Sequence, residues 1–245
     1  MRQHQPESLS GDGRAARELA AATAALVEEH DTVGTLTELL SRCVRAVVAD
    51  AAGLMLRNNE TGRLELLAST SHRAAELELY QLHSEQGPCI DAATTGQAVS
   101  AYGADRIAEV WPGLADIFAR NRFTATHATP LRWHGTRLGA LGLFFTQPPA
   151  ADQQTSVATV TQAFGDIATL TVVHAGDLPL QQLLAQTEAA LAQRVVVEQA
   201  KGVLAYTENV GMDAAFERLL ELAARQRRPI TQVAEQLVAD ATGRR

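Results

Sequence analysis

The chain has 245 residues, of which 46% are hydrophobic and 20% charged, and its formal net charge at pH 7 is −7. This composition is typical of a globular protein and excludes a disordered chain; no apolar run approaches the ~20 residues of a membrane span. The acidic balance argues against sequence-independent binding of nucleic acid, which depends on neutralising phosphates. Residues 178–245 nevertheless hold eight basic and eight acidic residues, so this segment is neutral.

Residues 1–13 are polar, contain two glycines and predict a disordered N-terminus. The same stretch lacks the apolar segment of a secretory signal. Cys43 and Cys89 are the only cysteines, and their spacing indicates neither a metal site nor a disulfide framework. We therefore expect a cytoplasmic protein in a reducing compartment, with no membrane association.

Residues 14–176 predict one α+β domain. The pattern is helical from Arg14 to about Ala49, with Asp31 or Thr32 as a helix cap. The runs AAGLMLR and RLELLAST, separated by the polar turn NNETG, then predict an antiparallel hairpin.

Alternating helices and strands complete this domain. Ser71 is placed to cap the next helix, and a short helix is opened by Pro88 and closed by Gly96. The strand QAVSAY and the helix LADIFARN precede two strands around a turn at His134-Gly135-Thr136, and a long helix covers residues 152–174. This order predicts an antiparallel sheet with flanking helices.

The stretch EQGPCIDAATTGQAVSAY and the element order resemble a GAF domain over roughly residues 30–175. The resemblance implies a sensor of a small molecule or a protein, which passes its signal through terminal helices to an output domain. The Asn-Lys-Phe-Asp-Glu signature of cyclic-nucleotide-binding members is missing, and Ile90 follows Cys89 where bilin-carrying members have histidine, so the cofactor is unknown. The candidate residues of a sensor pocket are Cys89, Asp91, Trp111, His127 and Trp133. A purely structural role is the simpler interpretation of each.

A hinge and a coiled-coil linker are predicted over residues 177–192. Gly176 can end one helix, while Asp177 and Pro179 can begin the next. Four- and three-residue steps then define a coiled-coil seam of about two heptads at Leu180, Leu184, Thr187 and Leu191. We expect a homodimer with Leu180, Leu184 and Leu191 in its interface; packing within one chain is the alternative.

Beyond the seam, three amphipathic helices predict a small all-α bundle. A second stripe on the linker helix would face the bundle core, formed by Ala192, Val195, Val196, Gln199 and Val203. Asp213 is placed to cap the second helix, with Ala215, Phe216, Leu219, Leu220 and Ala223 on its inner face. Thr231 is placed to cap the third, with Val233, Ala234, Leu237, Val238 and Ala241 inside.

The bundle region contains the stretch RVVVEQAKGVLAY with Ala-Lys-Gly at 200–202, and the Ala-Phe pair of MDAAFERLLELAARQRRPITQVAEQLV. Together these features resemble an ANTAR domain over residues 185–241. The resemblance implies binding of hairpins in nascent RNA and prevention of transcription termination. The candidate RNA-binding residues are Arg194, Ala200, Lys201, Gly202, Arg225, Arg227, Arg228 and Thr231.

Lys201 is the only lysine in a chain with twenty arginines. Gly202 follows it, and a glycine inside a helix costs up to about 1 kcal/mol relative to alanine, which indicates close approach of another helix or of an RNA backbone. A solvated helix lysine is the alternative. Two interpretations are open for Arg225, Arg227 and Arg228. They can stack on unpaired bases and donate paired hydrogen bonds to phosphates, or they can simply compensate the helix dipole.

These patterns favour a homodimeric transcription antitermination regulator. No arrangement of nucleophile and base or of paired carboxylates is readable, so we do not expect an enzyme. A DNA-binding regulator with a helix-turn-helix is one alternative, although the last helix carries Glu235 and Asp240 where a major-groove helix carries amides and cations. A GAF protein-interaction module without nucleic acid is the other.

Overall fold

The computed structural model describes residues 11–28, 32–58, 61–173 and 180–242, without the side chains of residue 12, residues 25–28 and residues 180–192. The helices of this part are α1 Gly11–Glu28, α2 Thr32–Val47, α3 His72–Ser84, α4 Pro88–Thr95, α5 Ala104–Val110, α6 Ala115–Arg120, α7 Gln154–Val173, α8 Leu180–Glu208, α9 Met212–Gln226 and α10 Ile230–Thr242. The strands are β1 Ala51–Arg57, β2 Leu64–Ser69, β3 Val99–Tyr102, β4 Ala125–Trp133 and β5 Thr136–Phe145.

The predicted α+β architecture of the N-terminal region is confirmed. Its five strands form one antiparallel sheet in the order β2-β1-β5-β4-β3. His134 and Gly135 have φ angles of 45° and 82°, as a two-residue hairpin turn between β4 and β5 requires. A Cβ on Gly139 would lie 1.9 Å from the carbonyl oxygen of Met55, so β1 and β5 pair at this point because β5 has a glycine there.

Sequence signals at helix ends are also confirmed. Ser71 caps α3 and accepts a hydrogen bond from the N–H of Ala74 at 3.2 Å, and Gly96 ends α4 in the left-handed conformation. One boundary differs: α1 begins at Gly11, three residues before the expected start. Helix α5 was not predicted, because seven residues are too few for a recognisable helical period.

The two faces of the sheet carry different helices. Because side chains alternate along a strand, Leu141 and Leu143 of β5 face α2 and α7, whereas Phe144 faces the layer of α3, α5 and α6. By length and composition alone α7 could span a membrane, and half of that stretch is buried inside the protein. Threonines, glutamines and Asp166 interrupt its apolar residues, so the sequence shows no continuous run there.

The inner faces predicted for α9 and α10 are confirmed, except that Ala241 is exposed, whereas the inner face of α8 differs from the prediction. Side chains of all three helices form the core of the bundle, among them Val197, Ala200, Leu204, Ala215, Phe216, Leu219, Val233 and Ala234. On α8 the predicted stripe was wrong at Val195, which is 54% exposed, and at Gln199, which is exposed; Val196 packs partly against the core and Val197 is buried. Three consecutive valines leave the phase of the helix open in the sequence, and tertiary packing decides among them.

Both predicted caps of the bundle were wrong as well. Gly211 occupies the N-cap position of α9, and Thr231 is the second residue of α10 and is buried. The linker predictions lie outside what is described: residues 174–179 are not covered, and α8 includes Leu180, Leu184 and Leu191 without described side chains.

The C-terminal bundle is docked on the N-terminal α+β domain, here called the sensor domain (α1 to α7 with the five-stranded sheet). Helix α8 packs against α2, α7, β1 and β2, and α10 packs against α2. One hydrophobic cluster runs from the α2 and α7 face of the sheet into the bundle. The carboxylate of Asp213 accepts a hydrogen bond from the backbone N–H of His72, the first residue of α3. An acid at the start of α9 therefore binds the N-terminus of a sensor helix.

Asp213→Ala is expected to accelerate hydrogen–deuterium exchange at the His72 amide about tenfold, because a hydrogen bond to a charged group contributes roughly 1.5 kcal/mol. Mass spectrometry of the peptide that covers the start of α3 measures this. Asp240→Ala is the matched control, since Asp240 is exposed on α10 and accepts only from Gln236 among the described residues. Unchanged exchange at His72 would contradict the docking contact.

Candidate nucleic-acid interface

Lys201 is buried in the bundle rather than solvated. Its side chain is 3% exposed, and its Nζ lies 3.1 Å from both carboxylate oxygens of Glu198, one turn earlier on α8. The same Nζ stands 5.1 Å from the ring centroid of Phe216 on α9, a cation–π contact. The sole lysine of the chain thus joins α8 to α9. Its compact ammonium fits between a carboxylate and an aromatic face, whereas the guanidinium of arginine is a wider, planar group.

Ala200 and Gly202 flank this lysine in opposite environments. Ala200 is fully buried in the bundle core. Gly202 is exposed, and a Cβ built on it meets no atom within 4 Å. The expected close approach of another helix to Gly202 is therefore not seen within the described part of the chain, and its position leaves a flat, open segment on the outer face of α8.

Arg194 is directed at the sensor domain. It is half-buried, and burial lowers its pKa, while the carboxylates of Glu198 and of Glu65 on β2 act in the opposite direction. Glu65 also accepts a hydrogen bond from the side-chain amide of Asn58 at 2.9 Å. The guanidinium of Arg194 is therefore within electrostatic reach of an acid on the edge strand β2.

Arg225, Arg227 and Arg228 form an exposed group, here called the arginine junction, where α9 ends and α10 begins. Arg227 is the left-handed C-cap of α9, with a φ of 50°, and its N–H donates to the carbonyls of Ala223 and Ala224. Arg228 donates to the Gln226 side chain at 3.4 Å. Cations at this end of α9 complement the helix dipole, and their side chains remain accessible.

The predicted RNA-binding residues are thus divided by the fold. Lys201, Ala200 and Thr231 lie inside the bundle, and Arg194 faces the sensor. Gly202 and the arginine junction are exposed. In this arrangement the accessible positive charge of the set is concentrated in the arginine junction.

The candidate sensor residues are engaged in separate contacts. Asp91 on α4 accepts a hydrogen bond from the indole N–H of Trp111 at 2.8 Å, and Cys89, on the same helix, is buried. His127 is a β4 residue whose Nδ1 lies 2.7 Å from the Ser100 hydroxyl, and burial lowers its pKa to about 4. Trp133 ends β4 and stacks edge-on with His134.

Glu78 on α3 is a buried carboxyl group that sequence reasoning missed. Its oxygens accept from the Cys89 thiol at 3.2 Å and from the Gln81 amide at 2.7 Å. Burial raises the pKa of Glu78 to about 8 and also raises that of the Cys89 thiol, which is therefore protonated and poorly nucleophilic. A Cβ on Gly142 would lie 2.4 Å from the Cys89 sulfur, so the space between α4 and the sheet is filled. In the sequence, Glu78 resembles the surface acids beside it.

Metal binding has no support in the described residues, which contain no group of three or more His, Cys, Asp or Glu side chains able to hold an ion.

The sensor domain has the GAF fold. The GAF domain of A. aeolicus nlh2 in an inactive state matches it with a TM-score of 0.52 at 12% identity, covering 66% of this chain and 97% of that chain. CepR2, an N-acylhomoserine lactone-dependent LuxR family transcription factor from Burkholderia cenocepacia, matches at 0.51 and 14% identity, covering 63% and 92%. The Neisseria meningitidis free methionine-R-sulfoxide reductase, solved with its substrate, gives 0.49 at 15% identity, covering 77% and 98%. The first two matches, both under 25% identical, define a shared fold and nothing finer.

Residues 185–238 match the family model of the ANTAR domain, a family of RNA-binding antiterminators. The chain thus carries a domain of GAF-like fold followed by an ANTAR domain. No curated protein gives a significant match.

Lys201→Ala is expected to lower the free energy of unfolding by about 2 kcal/mol, because three buried methylenes are removed at ~0.8 kcal/mol each. Lys201→Met retains an unbranched stem and is expected to lose less than half as much. Urea denaturation followed by circular dichroism measures both. Equal, near-zero losses in the two variants would show that Lys201 is solvated.

Glu78→Gln is expected to remove a pH dependence of stability. The carboxyl pKa is raised from 4.5 to about 8 on folding, so the folded protein binds the extra proton in this range. The contribution of Glu78 to the free energy of unfolding is therefore complete below pH 4.5. It is lost as the pH rises towards 8, by about 1.4 kcal/mol per pH unit. The lowered pKa of His127 has the opposite effect, because it makes stability rise with pH below the ordinary pKa of 6.5. The effect of Glu78 is therefore measured between pH 6.5 and 8.

Melting temperatures across that window provide the measurement. The unchanged protein should lose stability towards pH 8, while Glu78→Gln should be nearly flat. Glu76→Gln, an exposed glutamate on the same helix, is the matched control and should follow the unchanged protein. Parallel curves for all three proteins would contradict a buried, protonated Glu78.

Proposed function

We propose that the chain is a signal-responsive, RNA-binding regulator that prevents transcription termination. Its GAF domain would sense a small molecule or a protein, and its ANTAR domain would bind hairpin loops in nascent RNA. The ANTAR match over residues 185–238 carries this proposal. We place the protein in the cytoplasm as a homodimer without catalytic activity, its dimer seam formed by Leu180, Leu184 and Leu191.

The arginine junction supplies the chemistry for this role. Guanidinium groups donate paired hydrogen bonds to phosphate oxygens and stack on unpaired bases, both of which a hairpin loop offers. The paired stem of an RNA hairpin presents little sequence to side chains, so recognition would concentrate on the loop. Because residues 178–245 are neutral overall, this local cluster has to provide the electrostatic attraction.

Docking on the sensor gives the proposed regulator two states. In the docked state Arg194 is half-buried and subject to the charge of Glu65 on the sensor, so it is not free for RNA. We propose that the input signal shifts the population towards a released state in which Arg194 exchanges this environment for phosphates, while Lys201 stays inside the bundle between Glu198 and Phe216. The arginine junction is accessible in the docked state already.

A DNA-binding role fits the exposed face of α10 poorly. Glu235 and Asp240 are exposed on it, and Gln236 is engaged with Asp240 at 2.8 Å, whereas a helix in the major groove needs free amides and cations. A GAF module that binds only protein is the remaining alternative. Sequencing of RNA cross-linked to the protein in cells separates these roles and supplies the hairpin for measurement.

The double variant Arg227→Gln, Arg228→Gln is expected to weaken binding of that hairpin at least tenfold at fixed salt, since two charge-assisted contacts are lost. The slope of log affinity against log salt should fall by about 1 to 2. Mobility-shift titrations over a series of salt concentrations measure both.

Arg218→Gln is the matched control, because Arg218 is engaged with Glu208 and Glu221 on the bundle surface. Its affinity should stay within twofold of that of the unchanged protein. Full affinity in the double variant, with unchanged circular dichroism, would overturn the assignment of the arginine junction. A DNA duplex of the same sequence should not compete.

A further inference from the structure

A cleft of about 760 Å³ separates the sensor helix α2 from the α9–α10 corner of the ANTAR domain. Its volume lies within the range of small-molecule sites. The sensor wall consists of Gly34, Thr37, Glu38, Ser41 and Arg42. The opposite wall includes Leu220, Ala223, Arg227, Arg228, Pro229 and Ile230. Each domain therefore provides one side of the cavity.

The charge of this cleft is positive. Three guanidinium groups line it, from Arg42, Arg227 and Arg228, against the single carboxylate of Glu38. Glu38 is itself paired, with Arg42 at 3.0 Å and with Arg45 at 3.4 Å. A net excess of cations remains to attract an anion between the two domains.

Arg42 has a buried N–H group without an acceptor. Its Nη1 lies 3.5 Å from Glu18 and its Nη2 3.0 Å from Glu38, but its Nε is buried and has no hydrogen-bond partner among the described residues. A buried donor that is left unpaired costs free energy, so such groups normally have a partner. The two acid partners of Arg42 therefore leave its guanidinium incompletely paired.

The ANTAR wall adds two further features that suit an organic anion. Helix α10 begins at Ile230, and the dipole of a helix favours negative charge at its N-terminus. Leu220, Ala223 and Pro229 place apolar surface beside the arginines. The cleft thus combines a place for an oxyanion with a place for an apolar group.

We propose that this cleft binds a small organic phosphate, held between Arg42 of the sensor and Arg227 and Arg228 of the ANTAR domain. Bridging by one ligand stabilises the docked arrangement of the two domains. The ligand also occupies two cations of the arginine junction, so it competes with RNA. Only this competition rests on the proposed function; binding of the phosphate does not.

Isothermal titration calorimetry of the full chain at constant ionic strength tests the site, with phenyl phosphate, pyrophosphate and benzyl alcohol as probes. We expect saturable binding of the two phosphates and none of benzyl alcohol, because the anion provides the main contacts. Arg42→Gln and Arg228→Gln should each weaken phenyl phosphate about tenfold. Arg106→Gln, an exposed arginine on α5 paired with Glu109, should stay within twofold.

Absence of saturable binding for both phosphates would overturn the proposal, as would unchanged affinity in Arg228→Gln, whose exposed side chain leaves the fold intact. If Arg42→Gln has a lower melting temperature than the unchanged protein, its affinity no longer reports on binding alone, and Arg228→Gln is the deciding variant. Displacement of a labelled hairpin by phenyl phosphate examines the competition. Phosphate binding by a protein that binds no RNA would support the cleft and refute the proposed function; RNA binding without phosphate binding would do the reverse.

Discussion

The packing of the C-terminal bundle against the sensor sheet is the constraint on which the rest of the structure depends. Alternate residues of β1, β4 and β5 form one apolar face, and α2 and α7 cover it only in part. Val197 and Leu204 of α8 belong to the same buried cluster as Leu36 and Phe164 of the sensor. Burial of apolar area is non-directional, so the common core holds the domains together without fixing which polar groups meet.

Polar contacts at the borders of this core fix the arrangement. Asp213 on α9 accepts a hydrogen bond at the start of α3, and the half-buried Arg194 is subject to the charge of Glu65 on β2. Lys201, between Glu198 and Phe216, instead holds α8 to α9 within the bundle. A transition that releases the bundle must break the Asp213 contact and separate Arg194 from Glu65, while the Lys201 contacts can stay intact.

The cations outside this network are the groups left for partners. The side chains of the arginine junction are exposed at the end of α9, where the chain reverses. Arg42 faces them across the cleft from a helix of the other domain. The proposed nucleic-acid binding and the proposed ligand binding therefore share one corner of the molecule, at the border between the two domains.

The sequence by itself determined the α+β class of the N-terminal region, the helical character of the C-terminal region, and turns and caps such as Ser71, Gly96 and His134-Gly135, because these depend on residues a few positions apart. It also determined which helices are amphipathic. Tertiary structure alone decided the inner face of α8, since three adjacent valines satisfy several phases. It also decided the partner of Asp213, which lies 141 residues from His72. The burial of Lys201 belongs with these, because whether a charged side chain meets water or an aromatic ring depends on packing between helices that local periodicity does not record.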